Sequence, residues 1–238
     1  MIIEGAISVK SAINNSKRSV NKIYINSNKK TKDFNYIRKI ARNKNIDIVE
    51  CNEDDLLNIV SGKSHGGVCG DVGARKYDEF DNGDIFYLDG IEDPFNLGYA
   101  LRTLYAFGIK NVLLSARDYS SMESQLLKSS AGAYDMLNIK IVDDELKMIQ
   151  EYKQNGYHLY GLYRSDNSKD VFDVKFASKA LFILGGEKRG ISSEVLNECN
   201  EHLYISYGSD FRNSLNACGA LDVVATLLYS QKRKWLLP

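Results

Sequence analysis

Three stretches of this 238-residue chain carry residues whose types and spacing suit chemistry on a charged ligand. In DGIEDPFNLGYALRTLYAFG, residues 89–108, Arg102 follows Asn96 by six positions. Leu97, Leu101 and Leu104 recur there at helical spacing, Pro94 fixes the turn before them, and Asn96 is suited to capping. An arginine in the first turns of a helix opposes the helix dipole, which favours carboxylates at that end. A phosphate or carboxylate partner would justify it; a plain surface arginine is the alternative. In FILGGEKRGIS, residues 182–192, an apolar run ends in Gly185-Gly186 and is followed by Glu187. Paired glycines at a strand end let a backbone approach a ligand closely, or simply make a tight turn. In residues 202–235, a strand over 203–205 leads through a polar loop, 207–213, into a long helix opening near Ser214. Ser214 or Asn213 is its expected N-cap, and Ala217, Leu221, Val224 and Leu228 form its apolar stripe.

Other chemistries find less support. Cys51, Cys69, Cys199 and Cys218 lie 18, 130 and 19 positions apart, so no paired metal knuckle exists, and the cysteines read as reduced thiols. His65, His158 and His202 lack the spacing of zinc ligands and read as structural; no metal is expected. A nucleotide-dependent oxidoreductase would need a G-x-G-x-x-G turn that the glycines around 185–190 do not make.

The elements that must position these loops can be traced along the chain. Residues 4–75 alternate helices near 8–15, 33–43 and 54–60 with strands near 22–26, 47–50 and 67–72, a small α/β unit. The charge-dense segment KYDEFDNGD, 76–84, has an Asn-Gly turn and no aliphatic residue, and reads as an interdomain connection. From 85 to 238, continuous apolar runs at 85–88, 111–114, 137–141, 158–162, 180–184 and 203–205 alternate with helical segments. That pattern predicts a parallel sheet covered on both faces, with ligands bound beyond the carboxyl ends of its strands.

Formal net charge is zero and the hydrophobic fraction 44%, the composition of a soluble protein with ample core. Residues 1–50 nevertheless carry 11 Lys+Arg against 4 Asp+Glu, whereas 51–100 carry 3 against 11. The basic N-terminal part suits a polyanion, or is a solvated surface. No apolar run serves as a secretory leader or reaches the roughly 20 residues of a membrane span, so the cytoplasm is the expected location.

Taken in order, the three loops resemble the motifs of the SpoU/TrmH family of RNA ribose 2′-O-methyltransferases, within the SPOUT class. Asn96, Gly98 and Arg102 match the first motif, Gly185-Gly186-Glu187 with Gly190 the second, and Ser214-Leu215-Asn216 the third. Ser130-Ala131-Gly132-Ala133 and His65-Gly66-Gly67-Val68 also resemble family segments. The resemblance implies an RNA-binding α/β domain over 1–75, a linker over 76–84, and a methyltransferase domain over 85–238 with a C-terminal deep trefoil knot. It further implies S-adenosylmethionine as methyl donor, held by Leu184, Gly185, Gly186, Ile205 and Leu215. Arg102 would be the central catalytic residue, its surroundings fixed by Asn96, Glu187, Ser214 and Asn216. Lys17, Arg18, Lys29 and Lys30 would bind structured RNA, ribosomal or transfer, with no DNA or membrane partner, and the chain would act as a homodimer. The family's Ile-Pro-Met is Ile205-Ser206-Tyr207 here, and Asp222 stands on a helix expected to pack. These departures are the support for a second reading, an RNA-binding module that keeps the fold without methyl transfer.

Overall fold

The computed structural model describes residues 1–60, 65–186 and 189–233. By contact the chain divides into two units, Met1–Tyr77 with Asp118–Met136, and Asp78–Arg117 with Leu137–Pro238.

In the first unit, β1 (Ile2–Glu4), α1 (Ala6–Asn15), β2 (Val20–Asn26), α2 (Lys32–Asn43), β3 (Asp47–Cys51), α3 (Glu53–Ile59) and β4 (Val68–Val72) follow in turn. The sheet runs in the order β1-β4-β2-β3; β4 is antiparallel to both neighbours and β2 is parallel to β3. Local sequence accounts for the helices. Thr31 Oγ1 caps α2 by accepting from Phe34 N–H at 3.1 Å, and Asn52 and Asp55 form a reciprocal capping box on α3. Phe34, Ile37 and Ala41 turn the apolar face of α2 inward. The strand β1 was not expected on sequence; three residues are too few to show an alternation.

The second unit opens with β5 (Ile85–Leu88), α4 (Pro94–Ala106) and β6 (Asn111–Ser115). The chain then returns to the first unit for Asp118–Met136, which carries α5 (Glu123–Ser129), and resumes with β7 (Asn138–Val142), α6 (Glu145–Gln154) and β8 (His158–Leu162). It ends with β9 (Lys169–Asp170), β10 (Ala180–Leu184), α7 (Ser193–Glu198), β11 (Glu201–Tyr204) and α8 (Ala217–Arg233). Among the described residues these strands form one seven-stranded sheet, β7-β6-β5-β10-β8-β11-β9, and every neighbouring pair is parallel. The central strands β5 and β10 are buried along their whole length, as expected of runs covered by helices on both faces. Strand order reverses between β5 and β10, the kind of switch point that opens a crevice at the carboxyl ends.

Two helix starts differ from expectation. α4 is capped by Asp93, whose carboxylate accepts from Phe95 N–H and Asn96 N–H, so Asn96 sits in the first turn rather than at the cap. α8 begins at Ala217, not near Ser214; Asn216 Oδ1 accepts from Gly219 N–H at 2.7 Å and takes the capping role. Of the expected stripe, Leu221, Val224 and Leu228 are buried and Ala217 is half-buried. Asp222 is exposed, which removes the cost that burial of its charge would carry.

The segment Asp118–Met136, expected within the second domain, is tied into the first unit by a buried ionic cluster. Arg18 Nη2 and Nε pair with the Asp135 carboxylate at 2.9 Å, and Arg18 Nη1 meets Glu123 Oε2 at 2.6 Å. Arg75 Nε donates to the Tyr134 carbonyl at 3.2 Å, and Ser11 Oγ to the Gly132 carbonyl at 2.7 Å. Among the described residues no helix is long and apolar enough to cross a membrane.

Candidate active site

A cavity of about 600 Å³ opens at the carboxyl ends of β8, β10 and β11, a volume suited to a nucleoside-sized ligand. Five residues expected to hold a cofactor, Leu184, Gly185, Gly186, Ile205 and Leu215, all line it, and so do Ser214 and Asn216. The second and third sequence motifs therefore converge on one space.

Backbone contact shapes the rim. Asp89 N–H donates to Leu184 O at 2.8 Å and Gly190 N–H to Gly186 O at 3.0 Å. A Cβ on Gly185 would lie 2.2 Å from the Gly190 carbonyl carbon, and one on Gly186 would lie 2.3 Å from the Gly90 carbonyl oxygen. The paired glycines thus serve close approach of three backbone segments, more than a tight turn requires. Glu187, the remaining residue of this motif, lies outside the described residues.

The third loop is held by a residue that the family pattern does not supply: Leu215 N–H donates to the Tyr207 hydroxyl at 3.0 Å. The wall also carries Arg164 and Arg212, cations that sequence reasoning missed. Their signal was positional, since Arg164 stands two residues past β8, where strand-end loops carry ligands.

The first motif approaches from the side. α4 packs against α8, and Cys218 Sγ donates to the Asn96 carbonyl at 3.1 Å, next in sequence to the cavity residues Asn216 and Ala217. Arg102 does not line the cavity. It stands on an exposed face of α4, about 9 Å along the axis from Asn96 at the usual helical rise, with Phe95 and Tyr99 exposed beside it.

Among the expected RNA contacts, Arg18 is corrected: only 4% exposed and saturated by Asp135 and Glu123, its guanidinium cannot meet a phosphate. Lys30 is exposed; Lys29 is half-exposed with Nζ 3.5 Å from Glu53 Oε2, and Lys17 is half-buried. The histidines take structural places. His65 is buried with Nδ1 accepting from Gly67 N–H, His158 faces Glu201, and the His202 ring bonds the Leu196 carbonyl. Burial pushes the thiols of Cys69 and Cys199 up to about 12 and about 11, which leaves neither as a thiolate nucleophile near neutrality.

A parallel α/β sheet with a ligand-sized cavity beyond its strand ends, carried on the same chain as a small α/β unit, is the class of protein that this geometry defines. Residues 84–226 match the model of the SpoU rRNA Methylase family, and residues 2–78 match that of RNA 2′-O ribose methyltransferase substrate binding. The chain belongs to the SpoU methylase family. A TrmH family tRNA/rRNA methyltransferase relative from Staphylococcus epidermidis is 29% identical over 245 residues, covering 98% of this chain and 97% of the relative. An AdoMet-bound rRNA methyltransferase from Sinorhizobium meliloti superposes with a TM-score of 0.79 at 19% identity, covering 100% of this chain and 88% of that one. A SpoU methyltransferase from Streptomyces viridochromogenes, in complex with the cofactor AdoMet, gives a TM-score of 0.78 at 18% identity over 98% and 90% of the two chains. At such identities these two structures establish likeness of fold.

Proposed function

We propose that this protein transfers a methyl group from S-adenosylmethionine to a ribose 2′-hydroxyl of ribosomal or transfer RNA, in the cytoplasm. The observation that carries the reading is the convergence of Leu184, Gly185, Gly186, Ile205 and Leu215 on one cavity in a chain of the SpoU family. The residues fit an adenosyl sulfonium. Leu184, Ile205 and Leu215 offer apolar surface to a purine, and Gly185 and Gly186 bring bare backbone to the rim, where a Cβ would strike the backbone of Gly190 and Gly90. When bound, the donor supplies a methyl carbon already activated by its positive sulfur. The protein must then orient the ribose oxygen and help its proton leave.

Arg102 is the residue we assign to the RNA, through the phosphate next to the target ribose, where its fixed positive charge lowers the proton affinity of the hydroxyl. A guanidinium stays protonated, so this role is electrostatic rather than that of a free base. Asn96, Ser214 and Asn216 hold the loops around the reacting atoms, and Glu187 is assigned with them from its place in the motif. Residues 1–75 select the RNA through Lys17, Lys29 and Lys30, 76–84 connect, and 85–117 with 137–238 form the methyltransferase domain with a trefoil-knotted end. The aromatic face of α4, Phe95 and Tyr99 flanking Arg102, supports a homodimer in which Arg102 serves a cavity of the partner subunit.

The test is single-turnover transfer to RNA together with titration calorimetry of the donor. Arg102→Ala should lower transfer by at least about 100-fold and leave donor affinity within about twofold. Transfer at the wild-type rate by that variant would refute the assignment. A wild-type protein that binds RNA but not the donor would instead favour the non-catalytic module.

A further inference from the structure

Arg164 stands in the cavity wall, and none of the three motifs accounts for it. Its guanidinium lies over the Tyr204 ring, 5.9 Å from the centroid. The backbone presenting it is held on both sides. Tyr163 N–H donates to Leu203 O at 2.9 Å, the Tyr163 carbonyl accepts from Ser168 Oγ at 2.7 Å, and Ser165 N–H donates to the same hydroxyl at 3.0 Å. A guanidinium resting on an aromatic face, on a backbone already fixed, surrenders little freedom when it takes up a planar anion.

The charge of the wall says which anion. Arg164 and Arg212 are its charged members among the described residues, and none of the described wall residues is acidic. A sulfonium donor bearing an ammonium group as well would be repelled by two guanidiniums unless its carboxylate met them. Resting on the donor reading above, we propose that Arg164 binds the carboxylate of the donor's amino-acid tail and so selects for an intact tail, with Arg212 adding positive charge to the same wall. Arg–carboxylate pairing is the strong, geometrically specific form of such a contact.

Titration calorimetry on the full-length protein separates this role from a general one. The ligands are S-adenosylhomocysteine and its decarboxylated analogue, which keeps the amine and lacks the carboxylate. Arg164→Gln should weaken binding of the first by about tenfold and of the second by less than about twofold, and Arg164→Lys should recover part of the loss. Equal losses for both ligands, or no loss for either, would overturn the proposal. So would a loss of RNA affinity with unchanged binding of S-adenosylhomocysteine, which would give Arg164 to an RNA phosphate. A wild-type protein that binds neither small ligand defeats the donor reading and this proposal together; wild-type binding with an indifferent Arg164→Gln defeats this proposal alone.

Discussion

Asp89 shows how a single residue carries a cost of the site's construction. Its main chain bonds the end of β10, which leaves the carboxyl half-buried. Burial raises its pKa, the charge of Glu145 raises it further, and Tyr87 and Arg189 pull it back only in part. A carboxyl whose folded pKa exceeds its unfolded value contributes stability below the ordinary carboxylate range and loses it as pH rises through the folded pKa. Neutral Asp89→Asn should therefore raise Tm near pH 7 and lose that advantage as pH falls into the ordinary carboxylate range, as thermal melts across pH would show. A gap of constant size would contradict the sign. At this scale the sequence was informative about backbone-shaped positions and poor at buried charges. Gly185 and Gly186 declare themselves by type. Arg18 does not, because its acidic partners lie more than a hundred residues away and a basic residue in a basic stretch reads as surface.

Among the elements, the parallel strands were legible because complete burial writes continuous apolar runs, whereas helix starts were not, because several polar residues compete to cap. Around α8, Asn213, Ser214 and Asn216 all have capping side chains, and only the tertiary bond from Leu215 N–H to Tyr207 shows that the chain is still a loop there. The cap at Asn216 thus terminates a cavity-lining loop and begins the helix at one residue. Asn216→Ala should cost about 1 kcal/mol and speed hydrogen exchange at the Gly219 amide by about fivefold. Unchanged exchange at Gly219 would show that the helix start is held by other contacts. Arg164 went unseen for a different reason: its loop has no motif, and its meaning comes from strands that meet only in the fold.

For the molecule as a whole, the first unit matters through its buried ionic cluster and its exposed Lys30. Arg18→Ala takes from Glu123 its Arg18 contact and leaves Asp135 with Arg75 Nε at 3.8 Å, and loss of one partner from a buried ionic cluster costs about 3–5 kcal/mol. Denaturant unfolding should show that loss, and Asp135→Asn in the same background should restore part of it; additive destabilisation would mean that the cluster is not coupled. The logarithm of RNA affinity should fall linearly with the logarithm of salt concentration, and Lys30→Ala should reduce that slope by about 1. A slope unaffected by that change would remove Lys30 from the RNA contact.

The passage of the backbone between units at 77/78, 117/118 and 136/137 bears on how a gene for this chain can be cut. A clone ending after the charged connector encodes a fragment in which Arg18 and Ser11 have lost Asp135 and Gly132, while the complementary clone inherits two acidic side chains shaped for an arginine it no longer has. Neither half is a portable cassette. Swapping RNA specificity between relatives would require exchanging residues 118–136 along with the amino-terminal portion, as two inserts in a single graft.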